Sequence, residues 1–322
     1  MVPEGFERMN ELGSRAEPFL FILDFDLSKP LVLTPDEANR AGMLFQVNVQ
    51  RNFIPPAIPQ TPFTFRKEPV SQAIYKKSFE CVMEHIQAGN SYLVNLTFPT
   101  PVETNLSLRE IFLRSEARYK LLVPDGFVVF SPEIFVQINH GIISSYPMKG
   151  TLDASVPDAE SVLLANPKEL AEHYTIVDLI RNDLNLVASE VRVERFRYID
   201  QIRTNFTVLL QVSSRITGRL PPDYTHRIGD ILLRLLPAGS VTGAPKKRTV
   251  EIIREVEIFE RGYYTGIMGF FDGSALDSGV MIRFIEQTEK GMVFKSGGGI
   301  TSMSRVDEEY RELIDKVYVP FT

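Results

Sequence analysis

PAGSVTGAPK, residues 237–246, sets glycines and small hydroxyl side chains between two prolines. Gly239, Ser240 and Gly243 let the backbone approach a ligand closely, and Thr242 adds a hydroxyl. Pro245 stands where a helix through Glu255 begins, so the free N–H groups of its first turn point back at the loop. The segment therefore reads as an anion seat. It lacks the G-x-x-x-x-G-K-[ST] spacing and so is not a phosphate-binding P-loop. A second focus is Lys149 in PMKGT. A lysine lined by apolar neighbours loses its proton more readily and can act as a nucleophile; the ordinary alternative is a side chain that snorkels to solvent.

Outward from these two points the chain alternates helical and extended patterns. PFLFILDF gives a dense apolar strand over 19–25, and Thr34, Pro35 and Glu37 carry the cap, first-turn proline and capping-box glutamate of a helix start. The proline-rich run 51–69 reads as an extended connection. Tyr75, Phe79, Val82, Met83 and Ile86 fall at helical spacing and Gly89 ends that helix. A strand follows in which Tyr92, Val94, Leu96 and Phe98 share a face opposite Asn95. Ser107 and Glu110 open another helix, and PDG at 124–126 turns into a strand over 127–130. The pattern then predicts a helical middle at 159–180, strands near 191–196 and 207–217, and helices at 225–236 and 246–256. It closes with strands near 263–271, 278–285 and 292–296 and a final helix from about Val306. No 20–50-residue period recurs, so a solenoid is excluded, and helices set between runs of antiparallel-looking strands point to an α+β fold with large sheets.

The 322 residues, 44% hydrophobic and 24% charged, suffice for a large globular core. A net charge of -6 and the lack of a basic stripe argue against nucleic acid. No apolar run is long enough for a membrane span, and the start MVPEGFERMNELG has no signal-peptide pattern, so a cytoplasmic location is expected. The single cysteine, Cys81, excludes an internal disulfide framework and is read as a buried helix-face residue without a thiolate metal site.

Two carboxylate pairs stand out. Glu309 and Glu312 are three apart on the last helix, with Lys316 four beyond, and Glu169 and Glu172 repeat that offset just before His173. Each pair is either a solvated helix face or part of an oxygen-only shell for a hard cation such as magnesium. Asp178, Arg181, Asn182 and Asp183 form a polar cluster that can also be a helix end satisfied by its own side chains. Glu133 in SPEIF, Tyr264, Arg283, Lys246 and the triplet Gly297, Gly298 and Gly299 complete the candidates. Arginine's planar fork suits a carboxylate, and three successive glycines allow close backbone approach.

The decamer, with IVDLIRNDL at 176–184, RGYYTGIMG at 261–269 and SGGGI at 296–300, resembles the chorismate-utilising enzyme family over about residues 70–319. That resemblance implies an α/β sandwich of two large antiparallel sheets with helices outside and a cleft between them. It also implies a single chorismate-binding catalytic domain over 1–322, with a shortened amino-terminal portion at about 1–69. Glu172 and Glu312, with Glu169 and Glu309 nearby, would hold Mg2+ that receives the ring carboxylate of chorismate. Arg283 and Tyr264 would grip the other carboxylate, assisted by Thr242, Lys246 and the glycine triplet. Asp178, Arg181, Asn182 and Asp183 would support the metal and the cleft. Lys149 would attack C2 of chorismate, Glu133 would serve as acid and base, and ammonia would then enter at C4. PMKGT is similar to the form of the C4-aminating branch, whereas the C2-aminating branch has a small residue in place of the lysine. Gln211 departs from the pattern, standing where aminating relatives commonly carry a histidine. No Cys-centred glutaminase segment is present, so free ammonia is expected as the direct nitrogen source, with glutamine used only through a separate amidotransferase subunit. Amination at C2, hydration to isochorismate and a noncatalytic chorismate-binding role share most of the same residues.

Overall fold

The computed structural model describes residues 3–55, 62–203 and 208–321. Part of the proline-rich connection, 56–61, and Thr207 at the expected start of a strand lie outside them. The frame is two nine-stranded sheets, antiparallel throughout. The first runs in the order Met148–Asp153, Val208–Arg219, Ile142–Ser145, Ile134–Asn139, Leu276–Val280, Ile267–Phe271, Phe19–Leu23 and Leu31–Leu33; Ser189–Arg203 also pairs with Val208–Arg219. The second runs Gly243–Ala244, Leu93–Thr104, Gly291–Ile300, Phe284–Thr288, Phe127–Ser131, Tyr119–Val123, Leu44–Val47 and Gln50–Arg51, and Phe65–Lys67 also pairs with Leu93–Thr104.

The run Phe19–Leu23 shows how the layers form. Successive strand residues face opposite sides of a sheet. Leu20 and Ile22 turn toward the second sheet and share a core with Phe45, Tyr119, Val129 and Phe284. Phe19, Phe21 and Leu23 turn the other way, into a core with Phe6, Met9, Val177, Ile231 and Leu232, which come from helices. On the outer face of the second sheet, helices Gln72–Gln87, Lys246–Val256 and Val306–Asp315 bury Tyr75, Val82, Ile252 and Leu313 against Val94, Leu96 and Phe98. Capping boxes at Thr34/Glu37 and Ser107/Glu110 start their helices as the sequence predicts. Among the described residues, no helix is long and apolar enough to cross a membrane.

Three elements differ from expectation. The helical middle is two helices, Ala159–Ala165 and Pro167–Asn185, parted at Asn166, because the residue before a proline is driven out of helical geometry. Tyr92 does not join the apolar face of its strand; it precedes Leu93–Thr104 and is exposed. The segment 278–285 is not one strand. Leu276–Val280 belongs to the first sheet and Phe284–Thr288 to the second, and the chain crosses between them at 281–283, with Arg283 at φ 52. That crossing puts Arg283 between the layers.

One buried ion pair ties the site-forming segments together. Arg261 and Glu257 are paired at 2.7 Å with side chains only 2% exposed each. Arg261 also donates to the carbonyls of Val241 and Asn95, while Glu257 accepts from the N–H and hydroxyl of Thr97. The decamer and the strand Leu93–Thr104 are thus held on one guanidinium–carboxylate unit. Glu257→Ala leaves a buried, uncompensated guanidinium and is expected to destabilise the fold by about 3–5 kcal/mol in urea unfolding. A loss below about 1 kcal/mol would show that the pair has no such role.

Candidate active site

The two sheets and the helix Pro167–Asn185 enclose a cavity of about 560 Å³, in the ~300–1,000 Å³ range of small-molecule sites. Glu169, Glu172, Ile176, Ile180 and Asp183 line it from that helix. Their offsets of three and four residues place them on one helical stripe. Lys149 and Gly150 enter from the first sheet, Gly297, Gly298 and Gly299 from the second, Glu309, Glu312 and Lys316 from the carboxy-terminal helix and its end, and Glu133, Ser240, Tyr264 and Arg283 from connecting segments. Gln211 also lines the cavity, on the strand that pairs with Met148–Asp153.

Lys149 is not lined by apolar groups as its sequence neighbours suggest. Its Nζ lies 3.1 Å from Glu172 Oε2. Burial pulls the amine toward its neutral form, but the carboxylates of Glu172, Glu169 and Glu312 outweigh it and hold the ammonium above its ordinary pKa. Glu133 has the opposite tendency. Burial raises its pKa although Ser240 donates a hydrogen bond to it and Lys149 and Lys316 act against the shift. A carboxyl whose pKa is raised in this way holds its proton to higher pH and is the better placed to deliver it. Burial likewise raises the Tyr264 phenol and lowers the Arg283 guanidinium. Arg283 is held by a hydrogen bond from Nη1 to the Lys316 carbonyl and stacks 4.5 Å over Tyr318.

Several expected ligand groups are used by the fold. Thr242 is fully buried and absent from the cavity wall; its hydroxyl donates to the Ala238 carbonyl at 2.8 Å. Lys246 is also off the wall, donating to Asp183 at 2.8 Å and to the Leu235 carbonyl at 2.9 Å, so it pins the start of its helix. Asp178, Arg181 and Asn182 are exposed and hydrogen-bond to one another, on helix positions away from the stripe that lines the cavity. Only Asp183 of that cluster reaches the cavity. The glycines also divide their work: a Cβ at Gly297 would come within 2.4 Å of Thr97, whereas one at Gly298 would face Glu309 and Glu312, and one at Gly299 would lie 3.5 Å from Lys149 Nζ.

The sequence reading left out Ser240's bond to Glu133, the cavity role of Lys316 and Lys295. Lys316 Nζ bridges Glu312 at 2.7 Å and the Gly297 carbonyl at 2.8 Å. Lys295 pairs with Glu286 at 2.7 Å. Its position next to the glycine triplet in an otherwise apolar strand was the available signal.

The donor set suits a hard cation. Glu169, Glu172, Glu309 and Glu312 offer only oxygen. Among the described residues the four glutamates form no group of three whose ligand oxygens lie within 4.8 Å of one another. Magnesium retains waters and takes one or two protein carboxylates together with ligand oxygens, so a site for it does not require three protein ligands that close.

Sequence comparison matches residues 34–321 to the family described as chorismate binding enzyme. The chain is 50% identical to an uncharacterised PabA-like protein of Pasteurella multocida over 98% of this chain and 97% of that one. It is 33% identical to the aminodeoxychorismate synthase component 1 of Klebsiella aerogenes, over 77% of this chain and 57% of the relative. The fold is similar to that of anthranilate synthase component I from Streptococcus pneumoniae, with a TM-score of 0.65 and 27% identity, over 80% of this chain and 59% of that one.

Proposed function

The chain belongs to the chorismate-binding enzyme family, and on that premise we propose that it aminates chorismate at C4 with ammonia, giving 4-amino-4-deoxychorismate for the route to para-aminobenzoate and folate. The observation that carries this reading is the presence of Lys149 and Glu133 on one cavity wall, beside carboxylates suited to a cation. In this scheme Glu172 and Glu312, assisted by Glu169 and Glu309, hold Mg2+, which when bound neutralises the ring carboxylate of the substrate. Arg283 and Tyr264 take the second carboxylate, the guanidinium already oriented by the Lys316 carbonyl and the Tyr318 ring.

Glu133 gives its proton to the C4 oxygen as the C4–O bond breaks, so the hydroxyl leaves as water. Lys149 first gives up its ammonium proton to solvent as the carboxylate of Glu172 is taken over by the cation; the amine then forms a bond to C2 as the ring double bonds shift, and the proton released from the new C2–N bond passes to the Glu133 carboxylate. Ammonia then bonds to C4, the double bonds shift back and the C2–N bond breaks as Glu133 returns its proton to the leaving lysine nitrogen, restoring the lysine, while the new C4 ammonium releases a proton to solvent. Gln211 can hydrogen-bond to substrate but cannot exchange a proton at neutral pH, so acid–base work stays with Glu133 and Lys149.

The Lys149–Glu172 ion pair favours a second reading, in which Lys149 acts only through its charge. Within the proposed scheme glutamine serves only through a separate amidotransferase subunit. Purified protein with chorismate and magnesium should therefore consume chorismate when ammonium is added and leave glutamine intact when it is not. Release of glutamate by the chain alone would overturn this division of labour.

A further inference from the structure

The helices Gln72–Gln87 and Lys246–Val256 bring Cys81, His85 and Glu255 together, and none of the three lines the central cavity. One ligand atom from each lies within 4.8 Å of the other two. Cys81 and His85 are one turn apart on the same helical face, and Glu255 comes from the neighbouring helix. We infer that these three side chains form a second metal site, for a borderline divalent cation such as Zn2+, separate in place and in donor chemistry from the oxygen-lined cavity.

Thiolate, imidazole and carboxylate are the ligand types of zinc, and three protein ligands leave one position for water. His85 Nε2 and Glu255 Oε2 are 3.3 Å apart. Two ligands each about 2.0–2.1 Å from a tetrahedral zinc are separated by about 3.3 Å, so this pair needs no movement to share the ion. The other ring nitrogen is already engaged: the Asn90 side-chain amide lies 3.2 Å from His85 Nδ1. Asn90 Nδ2 donates to Nδ1 as the side chains stand; metal on Nε2 moves the ring proton to Nδ1, and the Asn90 amide turns over so that its oxygen accepts from Nδ1–H, the outer contact that orients a ligating imidazole. His85 also stands in the last turn of its helix, where the backbone dipole favours positive charge. On binding, the thiol proton leaves to solvent as the sulfur–metal bond forms. Sequence reasoning set a thiolate site aside because there is one cysteine; the third ligand lies more than a hundred residues away and is supplied by helix packing.

The test is titration of reduced, magnesium-saturated protein with Co2+, followed by displacement with Zn2+ in competition with a chromogenic chelator. The inference predicts a thiolate-to-cobalt charge-transfer band that saturates at one equivalent and is bleached by Zn2+. Cys81→Ser should abolish the band. His85→Gln and Glu255→Gln should each weaken Zn2+ binding by more than about 100-fold, and Asn90→Ala by about 10-fold, while Glu172→Gln in the central cavity leaves it unchanged. Cys81→Ala, which keeps the small apolar volume, serves if the serine variant fails to fold. Absence of the band in the wild-type chain, or Zn2+ affinity unaltered by Glu255→Gln and Cys81→Ala, would overturn the site.

Discussion

Replacing Lys149 by alanine is expected to lower the rate of C4 amination with ammonia by on the order of 10⁴-fold, the scale on which removal of a covalent nucleophile is felt. Affinity for chorismate with magnesium should change much less, because the carboxylate clamp is assigned to Arg283, Tyr264 and the metal. Lys149→Arg separates the two readings of this residue. The arginine side chain keeps a positive charge that can pair with Glu172, which now sits 3.1 Å from the amine. It has no readily lost proton and so cannot form the C2 adduct. A near-complete loss in both variants supports the covalent role. A sizeable residual rate in the arginine variant, with the alanine variant only slowed, would mean that Lys149 serves as a fixed charge.

Removing one of the proposed metal carboxylates should be of comparable severity. Glu172→Gln and Glu312→Gln are each expected to reduce turnover by at least about 10³-fold, since each takes away a carboxylate that holds the cation neutralising the substrate's ring carboxylate. Glu312 has a side chain 50% exposed, so its replacement should leave the fold intact, and circular dichroism checks this directly. Magnesium should raise the melting temperature of the wild-type chain. At a concentration of 100 Kd the linkage is about 2.7 kcal/mol, and the rise should be much smaller in either variant. Full activity in excess chelator would contradict the assignment.

Features that depend on neighbours in the chain were legible in the sequence. The capping boxes at Thr34 and Ser107 and the helix start at Lys246 follow from local hydrogen bonding. The i, i+3 pairs Glu169/Glu172 and Glu309/Glu312 could be placed on single helix faces, and all four do line the cavity. Extending the same period from Glu172 to Ile176, Ile180 and Asp183 would have separated Asp183 from the exposed Asp178, Arg181 and Asn182. Other groups depend on tertiary partners that spacing does not disclose. Thr242 and Lys246 look available in the decamer, yet the carbonyls of Ala238 and Leu235 take up their donors. Arg283 reads as part of a strand but sits where the chain passes from one sheet to the other. The surroundings of Lys149 were misjudged for the same reason: its sequence neighbours are apolar, whereas its spatial neighbours are carboxylates.

The central claim is the position at which nitrogen enters the ring. Chromatographic identification of the product that the wild-type chain forms from chorismate, magnesium and ammonium tests it most directly. The account predicts 4-amino-4-deoxychorismate as the sole product; anthranilate or isochorismate in its place would contradict it.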